Sequence, residues 1–123
     1  MQATAEPRIN IFRHAETVKT YRAGDAIFRE GDPGDLMYVV REGTVSIMVH
    51  GKVVDTIDSG GLMGEMALID KQPRSASAVA VTDCEVVPLD ERGFKELVSK
   101  VPHFAIEVMR IMAWRLRRMN ESA

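Results

Sequence analysis

Short β-prone runs, each closed by turn residues, constrain this chain more than any other feature. Val18 to Tyr21, Ala26 to Phe28, Leu36 to Val40, Thr44 to Val49 and Val53 to Ile57 follow one another closely. Between them stand Ala23-Gly24-Asp25, Gly31-Asp32-Pro33-Gly34-Asp35, Glu42-Gly43, His50-Gly51-Lys52 and Asp58-Ser59-Gly60-Gly61. Such residues turn the chain because they tolerate positive φ or bond their own backbone. Strands so short and so tightly connected predict an all-β barrel or sandwich. His50-Gly51 marks a hairpin tip. Two more runs, Ala76 to Val81 and Cys84 to Leu89, extend the pattern, with Val86, Val87 and Leu89 as core residues.

A different pattern interrupts the strands at Gly64-Glu65-Met66-Ala67-Leu68-Ile69 and Pro73-Arg74-Ser75-Ala76-Ser77. Gly64 permits close approach to the main chain. Glu65 to Ile69 favours one short helical turn. The first turn of a helix leaves N–H groups unpaired and attracts anions. Pro73 stops that turn, and Arg74 brings a fixed charge with a fork of donors suited to phosphate. Ser75, Ser77 and Val79 then alternate with Ala76, Ala78 and Ala80, placing hydroxyls on one face of a strand. Glu65, acceptor-only when ionised, needs donors, and sugar hydroxyls supply them. Phosphate and ribose within one short loop imply a compact nucleotide.

Gly64-Glu65-Met66-Ala67-Leu68 and Pro73-Arg74-Ser75-Ala76 resemble, residue for residue, the phosphate-binding cassette of the cyclic nucleotide-binding domain family. Gly24-Asp25, Phe28, Glu30-Gly31-Asp32-Pro33-Gly34-Asp35, Tyr38-Val39-Val40 and Gly43 are similar to the glycine-punctuated first half of those domains. The resemblance implies a mainly β fold with some helix: a jelly-roll β-barrel with a short cassette helix and C-terminal helices. It implies phosphate on Arg74 and on the first-turn N–H groups of Gly64, Glu65, Met66 and Ala67, with Ser75 and Ser77 as further donors. It implies ribose on Glu65, and a base between the barrel side chains Val45, Ile47 and Met63 and the last helix. One departure is visible: Gly60-Gly61 and Leu62-Met63 stand where the family often has Gly-Asp and aromatic residues, which predicts a looser entry loop.

From Asp90 the period becomes helical. Asp90 is the expected N-cap of a helix with Phe94, Leu97, Val98 and Val101 on one stripe. A second helix is expected from about Pro102 to Met119, facing inward through Phe104, Ala105, Val108, Ile111, Met112, Leu116 and Met119. Ile106, Met109 and Ala113 widen that face beyond one barrel contact, so a homodimer or a partner protein is expected there. Trp114 either packs or covers the base, as a residue of this helix often does in the family. Arg115 is either an exposed cation or stacks on or hydrogen-bonds the base. The expected organisation is an arm with a short turn over 1–16 and one ligand-binding unit over 17–123, its barrel about 17–89 and its helices about 90–120.

The chain has 123 residues, 46% hydrophobic and 28% charged, with a net charge of −2. That suits one globular unit and gives no field drawing it to nucleic acid or an anionic membrane. The lone Cys84 forms no internal disulfide or zinc cluster and is expected buried on its strand. His14, His50 and His103 lack ligand spacing, so no metal or further cofactor is expected. The apolar runs are too short to span a bilayer and no leader pattern opens the chain, so the cytoplasm is expected. A regulator of the catabolite-activator type would need a helix-turn-helix after the last helix, and the sequence ends at Ala123, so no nucleic-acid contact is expected. No nucleophile–base pair accompanies the cassette, and the chain reads as a sensor rather than an enzyme. The ligand favoured is cAMP, with cGMP as the second, because a hydroxyl such as Ser75 serves a guanine amino group as well as phosphate. The alternative is a ligand-free interaction or dimerisation module with a degenerate cassette.

Overall fold

The computed structural model describes residues 6–12 and 17–122. The first five residues and 13–16 of the expected N-terminal arm lie outside them. The strands are β1 (Lys19–Tyr21), β2 (Ala26–Phe28), β3 (Met37–Glu42), β4 (Val45–Val49), β5 (Lys52–Ile57), β6 (Leu62–Met63), β7 (Ser77–Ala80) and β8 (Cys84–Leu89). Helix α1 (Glu65–Asp70) falls between β6 and β7, and α2 (Glu91–Lys100) and α3 (His103–Ser122) close the chain. Two antiparallel sheets, in the orders β1-β8-β3-β6 and β2-β7-β4-β5, make the jelly-roll barrel.

The unbroken apolar run of β3 has a direct cause. Tyr38 and Val40 point between the two sheets, where they join Ile27, Val45, Ile57, Met63, Ala78 and Val86. Met37 and Val39 point the other way, into a second core with Leu62, Phe104, Val108 and Ile111. A strand buried on both faces cannot alternate apolar with polar. Phe104 and Ile111 are fully buried, and each such side chain contributes roughly 1.5–3 kcal/mol. Cys84, Val86 and Val87 are buried as expected, and Leu89 is half-buried.

Several local expectations hold. The β4–β5 hairpin turns at His50 and Gly51, with φ of 50° and 79°, the pair of positive values that matches strand twist. Asp90 caps α2, its Oδ1 accepting the Gly93 N–H at 2.7 Å.

Other details differ. The strand after the cassette begins at Ser77, not Ala76, because the chain bends at Ser75 and Ala76. Leu62-Met63 forms a strand, β6, in place of a loose entry loop. It pairs with β3 at Tyr38 and Val39. Gly60 N–H donates to Val40 C=O at 2.7 Å and Val40 N–H to Gly61 C=O at 2.9 Å, so the double glycine is pinned by sheet bonds. On α3, Leu116 and Met119 are 59% and 69% exposed. They leave the expected inward face because the helix runs on past the barrel, to Ser122.

Candidate functional site

Gly64 begins the site. Its φ of +76° suits glycine, and a Cβ there would fall 2.6 Å from Arg74 Nη1 and 3.2 Å from Leu36 O. The missing side chain is what lets the guanidinium lie against the cassette entry.

Arg74 is only 6% exposed. Its Nη1 donates to Gly64 O at 3.0 Å and its Nη2 to Leu36 O at 2.6 Å. Its Cζ sits 4.2 Å from the Phe28 ring centroid, a cation–π distance. Its Nε is buried and has no hydrogen-bond partner among the described residues. The main chain of Arg74 is held as firmly: Gly31 N–H donates to Arg74 C=O and Arg74 N–H to Asp32 C=O, each at 2.8 Å. The glycine-rich turn at residues 30–35, read from sequence as plain punctuation, therefore anchors the arginine. A buried cation with a spare donor is costly unless an acceptor meets it. Burial, aided by the charge of Tyr21, holds the Tyr38 phenol above its ordinary value, while Arg74 pulls the other way.

Glu65 opens α1 and is 9% exposed. Its Oε1 accepts Arg115 Nη1–H at 3.0 Å. Arg115 also donates through Nε to Glu6 Oε1 at 3.2 Å and through Nη2 to Leu62 O. One side chain of α3 thus gathers the N-terminal segment, β6 and α1. It is a part-buried ion-pair centre rather than an exposed cation.

These groups border a cavity of about 190 Å³. Its wall includes Met63, Gly64, Glu65, Met66, Arg74, Ser75, Ile47 and Arg115 among the residues expected from sequence. Val45, Ser77 and Trp114 lie elsewhere among the described residues. Val45 is fully buried in the barrel core. Ser77 Oγ accepts the Glu30 N–H at 2.9 Å. Trp114 is half-buried, with Arg118 Cζ 4.9 Å over its ring. Of Ala67 only the main chain, inside α1, is described.

The wall also holds Phe28, Asp55 and Ile57, which sequence reasoning missed. Phe28 gave no signal, since its role arises from a guanidinium distant in sequence. Asp55 did: it shares the inward phase of β5 with Ile57, an unusual place for a charge. A second hollow, lined by Asp25, Glu42, Asp83 and Glu85, has the wrong sign for an anion. Among the described residues no group of three or more His, Cys, Asp or Glu is placed to hold a metal ion. No helix among them is long and apolar enough to cross a membrane.

Residues 18–101 match the family model described as the cyclic nucleotide-binding domain. The chain is 42% identical over 83 residues to a cAMP-dependent protein kinase regulatory subunit from Aspergillus niger, covering 66% of this chain and 20% of that protein. It is 39% identical over 105 residues to a cyclic nucleotide-gated potassium channel from Mesorhizobium japonicum, covering 85% and 29%. Its fold superposes on the catabolite activator protein of Thermus thermophilus with a TM-score of 0.77 at 34% identity, covering 86% of this chain and 52% of that one. The chain spans under a third of the first two proteins and about half of the third.

Proposed function

We propose, because the chain belongs to the cyclic nucleotide-binding domain family, that its cavity binds a 3′,5′-cyclic nucleotide as the input of a regulatory sensor. The observation that carries this reading is Arg74, a buried cation at the cavity wall whose Nε lacks a partner among the described residues. In the proposed pose the cyclic phosphate lies against Arg74, Ser75 and the main-chain donors that open α1. The ribose hydroxyl donates to Glu65. The base rests on Ile47, Ile57 and Met63. Residues 17–123 act as the ligand-binding unit, and cAMP, named for the fungal kinase subunit, is favoured over cGMP.

Output follows from competition. Arg115 on α3 holds the same Glu65 carboxylate that the ribose would use. A ligand shifts an equilibrium only by its differential affinity for two states, and here the states differ in what Glu65 binds. We further propose that α3 pairs with a second copy of the chain. Ile106, Met109, Ala113 and Leu116 are exposed at the alternating three- and four-residue spacing of a coiled-coil seam.

One observation favours the ligand-free alternative: both terminal nitrogens of Arg74 and the Glu65 carboxylate already have protein partners. Thermal unfolding with and without nucleotide separates the readings. A ligand at a hundred times its dissociation constant adds roughly 2.7 kcal/mol, a rise of several degrees for a domain of this size. An unmoved melting point in millimolar cAMP and cGMP would leave the ligand-free module.

A further inference from the structure

A carboxylate on the inward phase of a barrel strand needs a reason, because burial penalises charge. Asp55 stands in that phase with its side chain only 27% exposed. It lies on β5 directly opposite Ile47 on β4, and with Ile47 and Ile57 it forms the sheet wall of the cavity. Its neighbours leave part of it to the cavity. Oδ1 accepts the N–H of Thr56 at 2.8 Å, and Arg118 Nη1 lies 3.9 Å from the same oxygen. Both contacts fall on one oxygen of the two, and neither Thr56 nor Arg118 is among the residues that line the cavity. Among the described residues no cation of the cavity wall is paired with it: Arg74 binds Gly64 and Leu36, and Arg115 binds Glu65, Glu6 and Leu62.

The proposed pose puts the phosphate at Arg74 and the base toward the β4–β5 wall, so the group facing the base is Asp55. A carboxylate only accepts hydrogen bonds. Guanine presents two donors side by side, N1–H and the 2-amino group, which a carboxylate takes as a bidentate pair. Adenine presents one donor, the 6-amino group, beside the acceptor N1, which meets a carboxylate lone pair to lone pair. We infer that Asp55 reads the hydrogen-bonding edge of the bound purine and is the residue that admits cGMP to a site otherwise suited to cAMP. This inference rests on the cavity being the cyclic-nucleotide site.

Asp55→Asn is the informative change. It keeps an oxygen for the Thr56 N–H and nearly the same volume, so β5 is retained. It replaces an acceptor–acceptor pair with acceptor plus donor, the pattern that complements adenine. Calorimetric titration of the wild-type chain, Asp55→Asn and Asp55→Ala with cAMP, cGMP and cIMP tests the idea. The last ligand keeps guanine's N1–H and lacks the 2-amino group. A bidentate base contact discriminates by roughly tenfold or more. Asp55→Asn should therefore shift the affinity ratio at least about tenfold toward cAMP, mainly by weakening cGMP. Asp55→Ala should weaken cGMP without strengthening cAMP, and cIMP should bind the wild type less tightly than cGMP. If the wild type binds both nucleotides and neither variant moves their ratio by more than about threefold, Asp55 does not read the base. If the wild type binds none of the three, the cavity assignment itself fails and the inference goes with it.

Discussion

Arg115, fifty residues beyond Glu65 in the chain, donates Nη1–H to Glu65 Oε1 over 3.0 Å. This contact joins the last helix to the first residue of the cassette helix, and the same guanidinium reaches Glu6 and Leu62 O. An acid placed beside the proposed phosphate site would repel the ligand if it stood alone. Here a cation answers it, and the cation belongs to the element proposed to move.

The pair should be measurable as a coupling. Arg115→Ala leaves the nearly buried Glu65 carboxylate without its cation, at a cost of about 1–3 kcal/mol, and should lower the melting temperature by several degrees. Arg115→Ala and Glu65→Gln together should cost less than their sum by at least about 0.5 kcal/mol. Thermal or urea unfolding of the four proteins gives the cycle, and strict additivity would separate the two residues.

Gly64 and Gly51 make a controlled comparison. Both have positive φ, +76° and +79°, so alanine strains either by roughly 1–2 kcal/mol. Only at Gly64 would the new Cβ strike Arg74, whereas no described residue lies within 4 Å of the corresponding position at Gly51. Gly51→Ala should lose a little stability and keep nucleotide affinity. Gly64→Ala should lose binding as well. Equal affinities in the two variants would show that Arg74 does not depend on the space at Gly64.

The exposed seam of α3 should bring two copies together. Sedimentation at tens of micromolar should show a dimer, and Leu116→Glu should return it to monomer by setting a charge in the seam. A wild-type monomer at those concentrations, with nucleotide and without, would oppose the pairing.

Much of this architecture was legible because local chemistry decided it. Turn residues marked the strand boundaries, Asp90 marked a helix start, and the spacing from Gly64 to Arg74 marked the cassette. What stayed hidden depended on contacts between distant segments. The bracing of Arg74 by Asp32 and Leu36 leaves no trace in either stretch, and the Glu6–Arg115 contact spans almost the whole chain. The double glycine suggested looseness, yet two backbone hydrogen bonds to Val40 tie it to β3. The outward position of Leu116 and Met119 could not be read either, because helical periodicity does not say where the barrel ends.

The central claim is that Arg74 holds the phosphate, and calorimetry with cAMP on the wild type, Arg74→Ala and Arg74→Lys tests it most directly. Truncating one partner of a buried charge pair costs about 2–5 kcal/mol, roughly 30- to 5,000-fold in affinity. Because the guanidinium also braces Gly64 and Leu36, Arg74→Ala should melt earlier, and the titration is run where circular dichroism shows it folded. The account predicts saturable binding by the wild type, at least about 30-fold weaker binding by Arg74→Ala, and partial recovery in Arg74→Lys, which keeps the charge and loses the fork. Binding by folded Arg74→Ala within about threefold of the wild type would contradict it and put the phosphate elsewhere.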